Sequence, residues 1–184
     1  MAPQAGGYVG GPNKPQTPNP ITIRASIMDK LAADTFDAIN KCRLDSRHAI
    51  DELQVMRSNT SDGIMTDHRS GVRVELHEGL ACIDEALRYC GERKSDASHR
   101  LVRHPAIDAC CQQFADLLGQ TGKHAHDADG LTLSDRLSRF GVWGGVLGQN
   151  VSLACTSGVS VVCDFLIDDG NKSRSRRRNL LMPE

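Results

Sequence analysis

The order of three short motifs in the last third of the chain constrains the fold most. Residues 148–150 have the sequence GQN after a glycine-rich stretch, residues 167–170 are IDDG, and residues 173–179 are SRSRRRN. The same part of the chain contains the only tryptophan, Trp143, and the densest run of basic residues. Several motifs in a fixed order are a far more specific signal than any one of them alone.

This order resembles the CAP superfamily, the family of SCP-like and cysteine-rich secretory protein domains. The most similar branch carries sequences close to HTGSDG, S-DR-RYG-W-G, GENI, LLIDDG and SRGHRKNIL, in that order. Weaker likeness extends back to about Ala49, whereas residues before 25 lie outside it. The matching residues here include His124, Ser134, Asp135, Arg136, Trp143, Gly148, Gln149, Asn150, Asp168, Asp169, Gly170, Arg177 and Asn179.

The resemblance implies an α/β fold, a CAP-like α-β-α sandwich with a small antiparallel sheet. Family members continue past this point into a strand near the centre of that sheet, whereas this sequence ends at Glu184. Either a partner supplies that strand, or the sheet is incomplete and its C-terminal edge is open to strand addition. We expect residues 1–24 to form a Gly- and Pro-rich extended tail and residues 25–184 to form the CAP-like domain.

Composition limits the partners and the compartment. Residues 1–20 bury too little apolar area to offset chain entropy, so we expect other protein chains to order them. The formal net charge is −1 and residues 172–178 are strongly basic, so the rest of the chain is acidic, which argues against a nucleic-acid partner. The chain lacks both an apolar run of membrane-spanning length and the apolar core of a secretory signal. We therefore expect a cytoplasmic protein with no membrane partner.

Seven cysteines are spread along the chain, and none forms a CxxC pair. Their number is odd and no secretory signal is evident, so free thiols in a reducing compartment are favoured over a disulfide framework. Adjacent Cys110 and Cys111 fall in a helical pattern, and we expect at least one of them to face the core.

Apolar periodicity predicts mostly helices. The β-branched residues of 159–167 favour a strand by themselves, but the CAP resemblance implies a helix there. Ser134 is a plausible N-cap and Gly119 a plausible C-cap. The predicted elements are helices over 25–58, 75–93, 105–118, 134–140 and 159–167, and short strands over 72–76 and 150–155.

The cleft of CAP proteins is built from His and Glu side chains, which together suit Zn²⁺. The resemblance puts its positions at His124, Gln149 and Arg176, where family members have His, Glu and His. A neutral amide is a poor ligand and no general base, and arginine does not lose its proton at ordinary pH. We therefore expect no catalytic residue, no metal and no cofactor.

Four features have a functional and a structural interpretation, and the structural one is favoured each time. His124, His126, Asp127 and Asp129 could form a substitute metal site, but a solvated polar loop is favoured, since alternate side chains of an extended loop point apart. Residues 176–178 could bind nucleic acid or be a nuclear signal, but a solvated arginine-rich loop is favoured. Asp168 and Asp169 are more often a turn than paired acid–base groups. Trp143 is predicted to pack over the glycine turn.

The CAP resemblance, together with the replaced cleft residues, predicts a non-catalytic CAP-like domain. We expect it to act as a structural or interaction component of an intracellular assembly, such as the cytoskeleton or a cilium. Its contacts with other protein chains would involve residues 1–20 and the C-terminal edge. The alternative is a CAP domain that binds a lipid or sterol in an apolar groove. A metal-dependent hydrolase that uses the loop at His124 is the least favoured.

The cysteine pattern makes a direct prediction. Thiol titration of the denatured chain without reductant should find nearly all of the seven thiols, because the cysteines are expected to be mostly free. A count reduced by three disulfide bridges would instead indicate passage through the secretory route.

Overall fold

The computed structural model describes residues 20–93, 100–123 and 125–182, with side chains described from residue 28 onward. The tail predicted over 1–24 and its contacts through residues 1–20 therefore lie almost entirely outside the described residues. Residues 20–24 are the exception: they are described, and they are helical, because the first helix begins at Pro20. Proline is favoured at the first helical position, where its missing N–H would have had no partner.

The described residues form a mixed α/β fold of helices and a small, open, antiparallel sheet. No helix among them is both long and apolar enough to cross a bilayer. The helices are α1 (Pro20–Leu44), a 3₁₀ helix (Ser46–Ala49), α2 (Ile50–Ser58), α3 (Leu80–Glu92), α4 (Pro105–Thr121), α5 (Leu133–Ser138), α6 (Gly158–Ile167) and α7 (Ser175–Leu181); the strands are β1 (Thr60–Ser61), β2 (Ile64–Thr66) and β3 (Arg73–Glu75).

The sheet has the strand order β1-β2-β3, with Met65 opposite both Thr60 and Val74. The strand predicted over 72–76 is confirmed by β3. The strand predicted over 150–155 is wrong, because Ala154 has a φ of 60°. This left-handed conformation is foreign to a regular strand.

The end of the described chain is a helix rather than a sheet edge. The guanidinium of Arg43 donates to the carbonyl oxygens of Leu180 (2.7 Å) and Met182 (3.0 Å), which holds the last turn of α7 against α1. The strands of the described residues all lie within 60–75, and no strand follows α7 among them. Contacts of this end with other chains stay a prediction.

The helix predicted over 25–58 is interrupted at Asp45. This residue is extended (φ −150°), and its carboxylate accepts a hydrogen bond from the Arg47 N–H (3.0 Å) at the start of the 3₁₀ helix. Aspartate favours such a break because its side chain satisfies an N–H that has no partner in the new turn. Ser46 donates its hydroxyl to the Cys90 carbonyl (3.1 Å), which ties the break to α3.

Three other helices have boundaries that differ from the prediction. α3 begins at Leu80, because the residues before it form β3 and a turn. α4 continues through Gly119 to Thr121, and the next residue, Gly122, is its C-cap in a left-handed conformation with a φ of 65°. The N-cap of α5 is Thr132 rather than Ser134, since Thr132 and Asp135 form a capping box.

α6 lies at the centre of the hydrophobic core. Its helical state, implied by the family resemblance, is confirmed, and Val162 and Leu166 are fully buried. A side chain at Gly158 would collide with the carbonyl of Asp34, so the start of α6 touches the backbone of α1. Other members of this core include Cys42, Leu53, Met56, Ile83, Ala86, Cys90, Cys163 and Leu180.

All seven cysteines lie in the described residues as free thiols. The expectation that one of the adjacent pair faces the core is confirmed, because Cys110 is buried and Cys111 is exposed. Burial raises the pKa of Cys42 to about 12 and that of Cys90 to about 11. These core thiols therefore stay protonated at neutral pH and behave as small apolar side chains.

α4 and α5 form a second, smaller cluster beside this core. Phe114 and Leu118 of α4 are buried there, and the guanidinium of Arg136 lies 3.7 Å from the centre of the Phe114 ring. The chain leading into α4 is attached to α1 by Asn40. Its amide donates to the Leu101 carbonyl (3.1 Å) and accepts from the Leu101 N–H (2.7 Å).

The contact between α6 and α1 predicts the effect of a single methyl group. Gly158→Ala should lower the free energy of unfolding by about 1–3 kcal/mol, because the new Cβ has no space against the α1 backbone. The matched control is Gly119→Ala, a helical site with open space around it, which should gain about 0.5–1 kcal/mol. Urea unfolding measures both, and an equal response at the two sites would contradict the close approach.

Candidate functional site

Two of the three C-terminal motifs, IDDG and SRSRRRN, meet at the carboxylate of Asp168. This residue ends α6 in a left-handed conformation and is fully buried. Its carboxylate accepts hydrogen bonds from the Arg176 N–H (2.8 Å), from the Arg176 Nε (2.7 Å) and from the Arg177 N–H (3.4 Å). The N-cap residue of α7, Arg174, contributes no side-chain cap. Asp168 therefore caps α7 from the end of another helix.

Asp169 faces the opposite direction. Its carboxylate accepts from the backbone N–H groups of His77 (2.7 Å) and Glu78 (2.9 Å), just before α3. Glu78 returns the contact, because its carboxylate accepts from the Gly170 N–H (2.9 Å). Asp168 and Asp169 thus have separate partners in separate elements. This arrangement agrees with a structural turn rather than with paired acid–base groups.

Arg174 and Arg177 join α7 to α3. Arg174 donates to the carboxylates of Glu78 and Glu85, each at 2.6 Å. Arg177 is buried, donates to the Glu85 carboxylate at 2.8 Å and donates through Nε to the Leu166 carbonyl. The hydrogen bond from Arg174 is the main reason that the pKa of Glu85 is lowered to about 2. The two guanidinium groups therefore sit in a fixed carboxylate frame.

Arg176 is at a position that the family resemblance assigns to the cleft, and its guanidinium forms ion pairs with two carboxylates. Its Nε lies 2.7 Å from the Asp168 carboxylate and its Nη1 lies 3.2 Å from that of Asp164. The interpretation of 176–178 as a solvated arginine-rich loop is thus wrong for most of the run. Lys172 and Arg178 are exposed, but the other arginines are bonded to carboxylates of α3 and α6.

The GQN motif packs against α7. A Cβ at Gly148 would overlap the amide of Asn179, so the glycine lets that side chain lie directly against the backbone. The Asn150 amide donates to the Arg176 carbonyl (2.9 Å), and the Asn179 amide donates to the Asn150 side-chain oxygen (2.9 Å). These contacts join the segment after α5 to the start and the middle of α7.

Gln149 points away from α7, toward the α4–α5 cluster. Its side-chain oxygen lies 3.3 Å from His126 Nδ1 and 3.5 Å from Arg136 Nη1. Arg136 is almost fully buried and donates to Asp129 through Nε and Nη2, both at 2.9 Å. This hydrogen bonding is the main reason that the pKa of Asp129 is lowered to about 2.

The substitute metal site at His124 has little support from its neighbours. His124 itself lies outside the described residues. Asp127 is exposed, whereas Asp129 is neutralised by Arg136, so the interpretation of the whole loop as solvated is wrong for Asp129. In the part of the chain that the structure describes, no three His, Cys, Asp or Glu side chains are grouped to hold a metal ion.

Of the three predicted cleft residues, the two that are described belong to different networks. Gln149 contacts the Arg136 network and Arg176 contacts Asp168, and Asn150 is the link between them. Sequence reasoning missed Glu78 and Glu85, because no local pattern marks a carboxylate whose partner lies about 90 residues away. Arg136 was visible only through the S-DR part of the resemblance.

Trp143 is less buried than its predicted packing role implies. The side chain remains 38% exposed, and its indole N–H donates to the Ser138 hydroxyl (3.1 Å) at the end of α5. The contact orients the ring without covering it.

A groove of about 650 Å³ lies between the main core and the α4–α5 side of the molecule. Ile39, Phe165 and Leu180 line it from the core, and Leu101, Cys111 and Val146 line it from the other side. Apolar side chains of two units, the main core around α6 and the α4–α5 cluster, face one another across this groove.

Comparison of the chain with protein-family models, with curated proteins and with solved structures finds no match. The likeness to the CAP superfamily therefore depends on the motif residues alone and stays a prediction.

The buried carboxylate of Asp168 predicts a large stability effect. Asp168→Asn should lower the free energy of unfolding by about 3 kcal/mol, because Arg176 would lose the charge that balances its own. Asp127→Asn, at an exposed turn residue, is the matched control and should change stability little. Urea unfolding compares the two, and a small effect at Asp168 would contradict its role as a cap.

The ion pairs also predict acid sensitivity. The pKa of Glu85 is lowered from 4.5 and that of Asp129 from 3.8, both to about 2. Each group therefore stabilises the fold fully above its unfolded pKa, and this stabilisation is lost as the pH falls toward the folded value. The free energy of unfolding should fall between about pH 4.5 and pH 2. Glu85→Gln should flatten that slope, and an unchanged slope would contradict the pairing.

Proposed function

We propose that this chain is a non-catalytic CAP-like domain that serves as an interaction component of a protein assembly. The observation that carries the proposal is the state of the cleft positions. Arg176 is bound to two carboxylates and Gln149 contacts Arg136, so both side chains support the fold. Neither offers a free base, and the guanidinium of Arg176 repels a metal cation.

The CAP-like part of the proposal is supported by the convergence of the motifs. In a family defined by ordered motifs, the residues shared between members should hold one another in place. Gly148, Asn150 and Asn179 contact one another across 29 residues, and Asp168 caps the helix formed by the last motif. The proposed finer architecture is the CAP-like α-β-α sandwich, with the described three-stranded sheet as its β layer.

A lipid- or sterol-binding CAP domain is the second candidate, and the groove favours it. Its lining is mostly apolar and its volume of about 650 Å³ is within the range of small-molecule sites. Extraction of the purified protein with organic solvent followed by mass spectrometry tests this candidate. A stoichiometric lipid would support it over the first.

Metal binding separates the proposal from a hydrolase. Zn²⁺ titrated into chelator-treated protein should show no stoichiometric site, because two of the family's ligand types are replaced. Gln149→Glu combined with Arg176→His restores those types. It should nevertheless lower the urea midpoint, because the Asp168 pair is lost. One Zn²⁺ per wild-type chain that disappears on His124→Ala would contradict the proposal.

Assembly is tested in a lysate of the cell that makes the protein. On size-exclusion chromatography the tagged full chain in the lysate should elute earlier than the purified chain, because it is part of a larger complex. Removal of residues 1–20 should reduce the fraction of the chain in that complex. Elution of the native chain at the monomer position would contradict the proposed role.

A further inference from the structure

The groove between the two units is open, and the described residues that line it include no acidic side chain. Val146 on its rim is 85% exposed, Leu101 is 38% exposed and Met182 is 40% exposed. Arg43, whose guanidinium donates to the carbonyls of Leu180 and Met182, is the charged residue among them. Exposed apolar side chains around a concave surface mark an interaction site more often than a solvated face.

A cationic cleft continues the groove on the other side of Leu101. Lys41, Arg100 and Arg103 line this cleft with a single carboxylate, Asp37. Arg103 is paired with Asp108, whereas Lys41 and Arg100 are exposed and have no ionic partner among the described residues. The surface is locally positive although the whole chain has a net charge of −1.

The segment that separates the two depressions is held from one side. Both polar groups of the Leu101 backbone are bonded to Asn40, at 2.7 and 3.1 Å. The next residue, Val102, is 88% exposed and turns its side chain to solvent. The segment is therefore a fixed ridge, with an apolar groove on one flank and cations on the other.

We propose that this groove and ridge bind an acidic peptide segment of a partner protein, whose apolar side chains enter the groove and whose Asp or Glu side chains face Lys41 and Arg100. Burial of the apolar side chains supplies affinity, and the unpaired cations select the charge and the orientation of the peptide. The inference rests on the proposed function, since it names the surface through which the domain would hold a partner.

A peptide explains the surface better than an enclosed lipid does. Small-molecule sites bury most of their ligand, whereas Val146 and Leu101 leave this groove open to solvent. The amides of Asn150 and Asn179 also line it, and such polar groups suit a peptide backbone more than an acyl chain.

The test is selection from a random peptide library displayed on phage against the purified full chain. The selected peptides should combine apolar residues with Asp or Glu, and one of them, synthesised with a fluorophore, then serves as the probe. Its affinity should decrease as salt is added, because the cations are at the surface. Vesicles of phosphatidylcholine with and without phosphatidylserine are measured in parallel.

Four variants decide whether the probe uses this surface. Val146→Glu and Arg100→Glu should each weaken binding about tenfold or more. Val142→Glu changes the same residue type in the same glycine-rich segment, outside the groove lining, and Arg88→Glu changes an exposed arginine of α3. Both controls should bind as the wild type does, and all four should keep the wild-type urea midpoint.

Equal binding by all variants, or a library that yields no binder, overturns the groove as a peptide site. Vesicle binding that Val146→Glu abolishes, without any peptide binding, overturns it in favour of lipid. Either result leaves the proposed function standing if the native chain still elutes in a larger complex. Loss of that complex in the Val146→Glu variant supports both.

Discussion

The buried carboxylate of Asp168 is the interaction on which the C-terminal half of the structure depends. A fully buried charge is costly unless cations and hydrogen-bond donors surround it. Here the guanidinium of Arg176 and two backbone N–H groups of α7 meet that requirement. The same contacts supply the cap that α7 lacks, so one side chain ends α6, begins α7 and fixes the angle between them.

The fold pairs most of the basic residues near the C-terminus with carboxylates. By sequence this basic run resembles a surface for anions, but its arginines at 174, 176 and 177 are bonded to carboxylates of α3 and α6. Their positive charges are largely neutralised by ion pairs within the protein. The positive potential available to a partner lies elsewhere, at Lys41 and Arg100 beside the groove. The proposed acidic peptide would therefore meet its opposite charge beside the groove rather than at the basic run.

Two units with different interiors meet at that groove. The larger has an apolar core centred on α6, whereas the smaller is organised by Arg136 between Phe114 and Asp129. Asn40 and Asn150 connect them with amide hydrogen bonds. Such bonds position the units without filling the space between them, and the proposed partner would cover the remaining apolar surface.

Local sequence determined the features that local physics controls. Apolar spacing predicted α3 and α4, and a plausible N-cap predicted α5, although the predicted start of α3 at residue 75 precedes the observed start at Leu80. A short strand was also predicted over 72–76, where β3 lies. The family resemblance predicted helix for 159–167, where β-branched residues alone favoured a strand. The failure of a strand at 150–155 and the roles of Glu78 and Glu85 were decided only by tertiary structure. The two glutamates depend on arginines about 90 residues away, and the missing strand depends on a backbone angle that no residue pattern specifies. Both are set only when the chain has folded, so they could not be read from the local sequence.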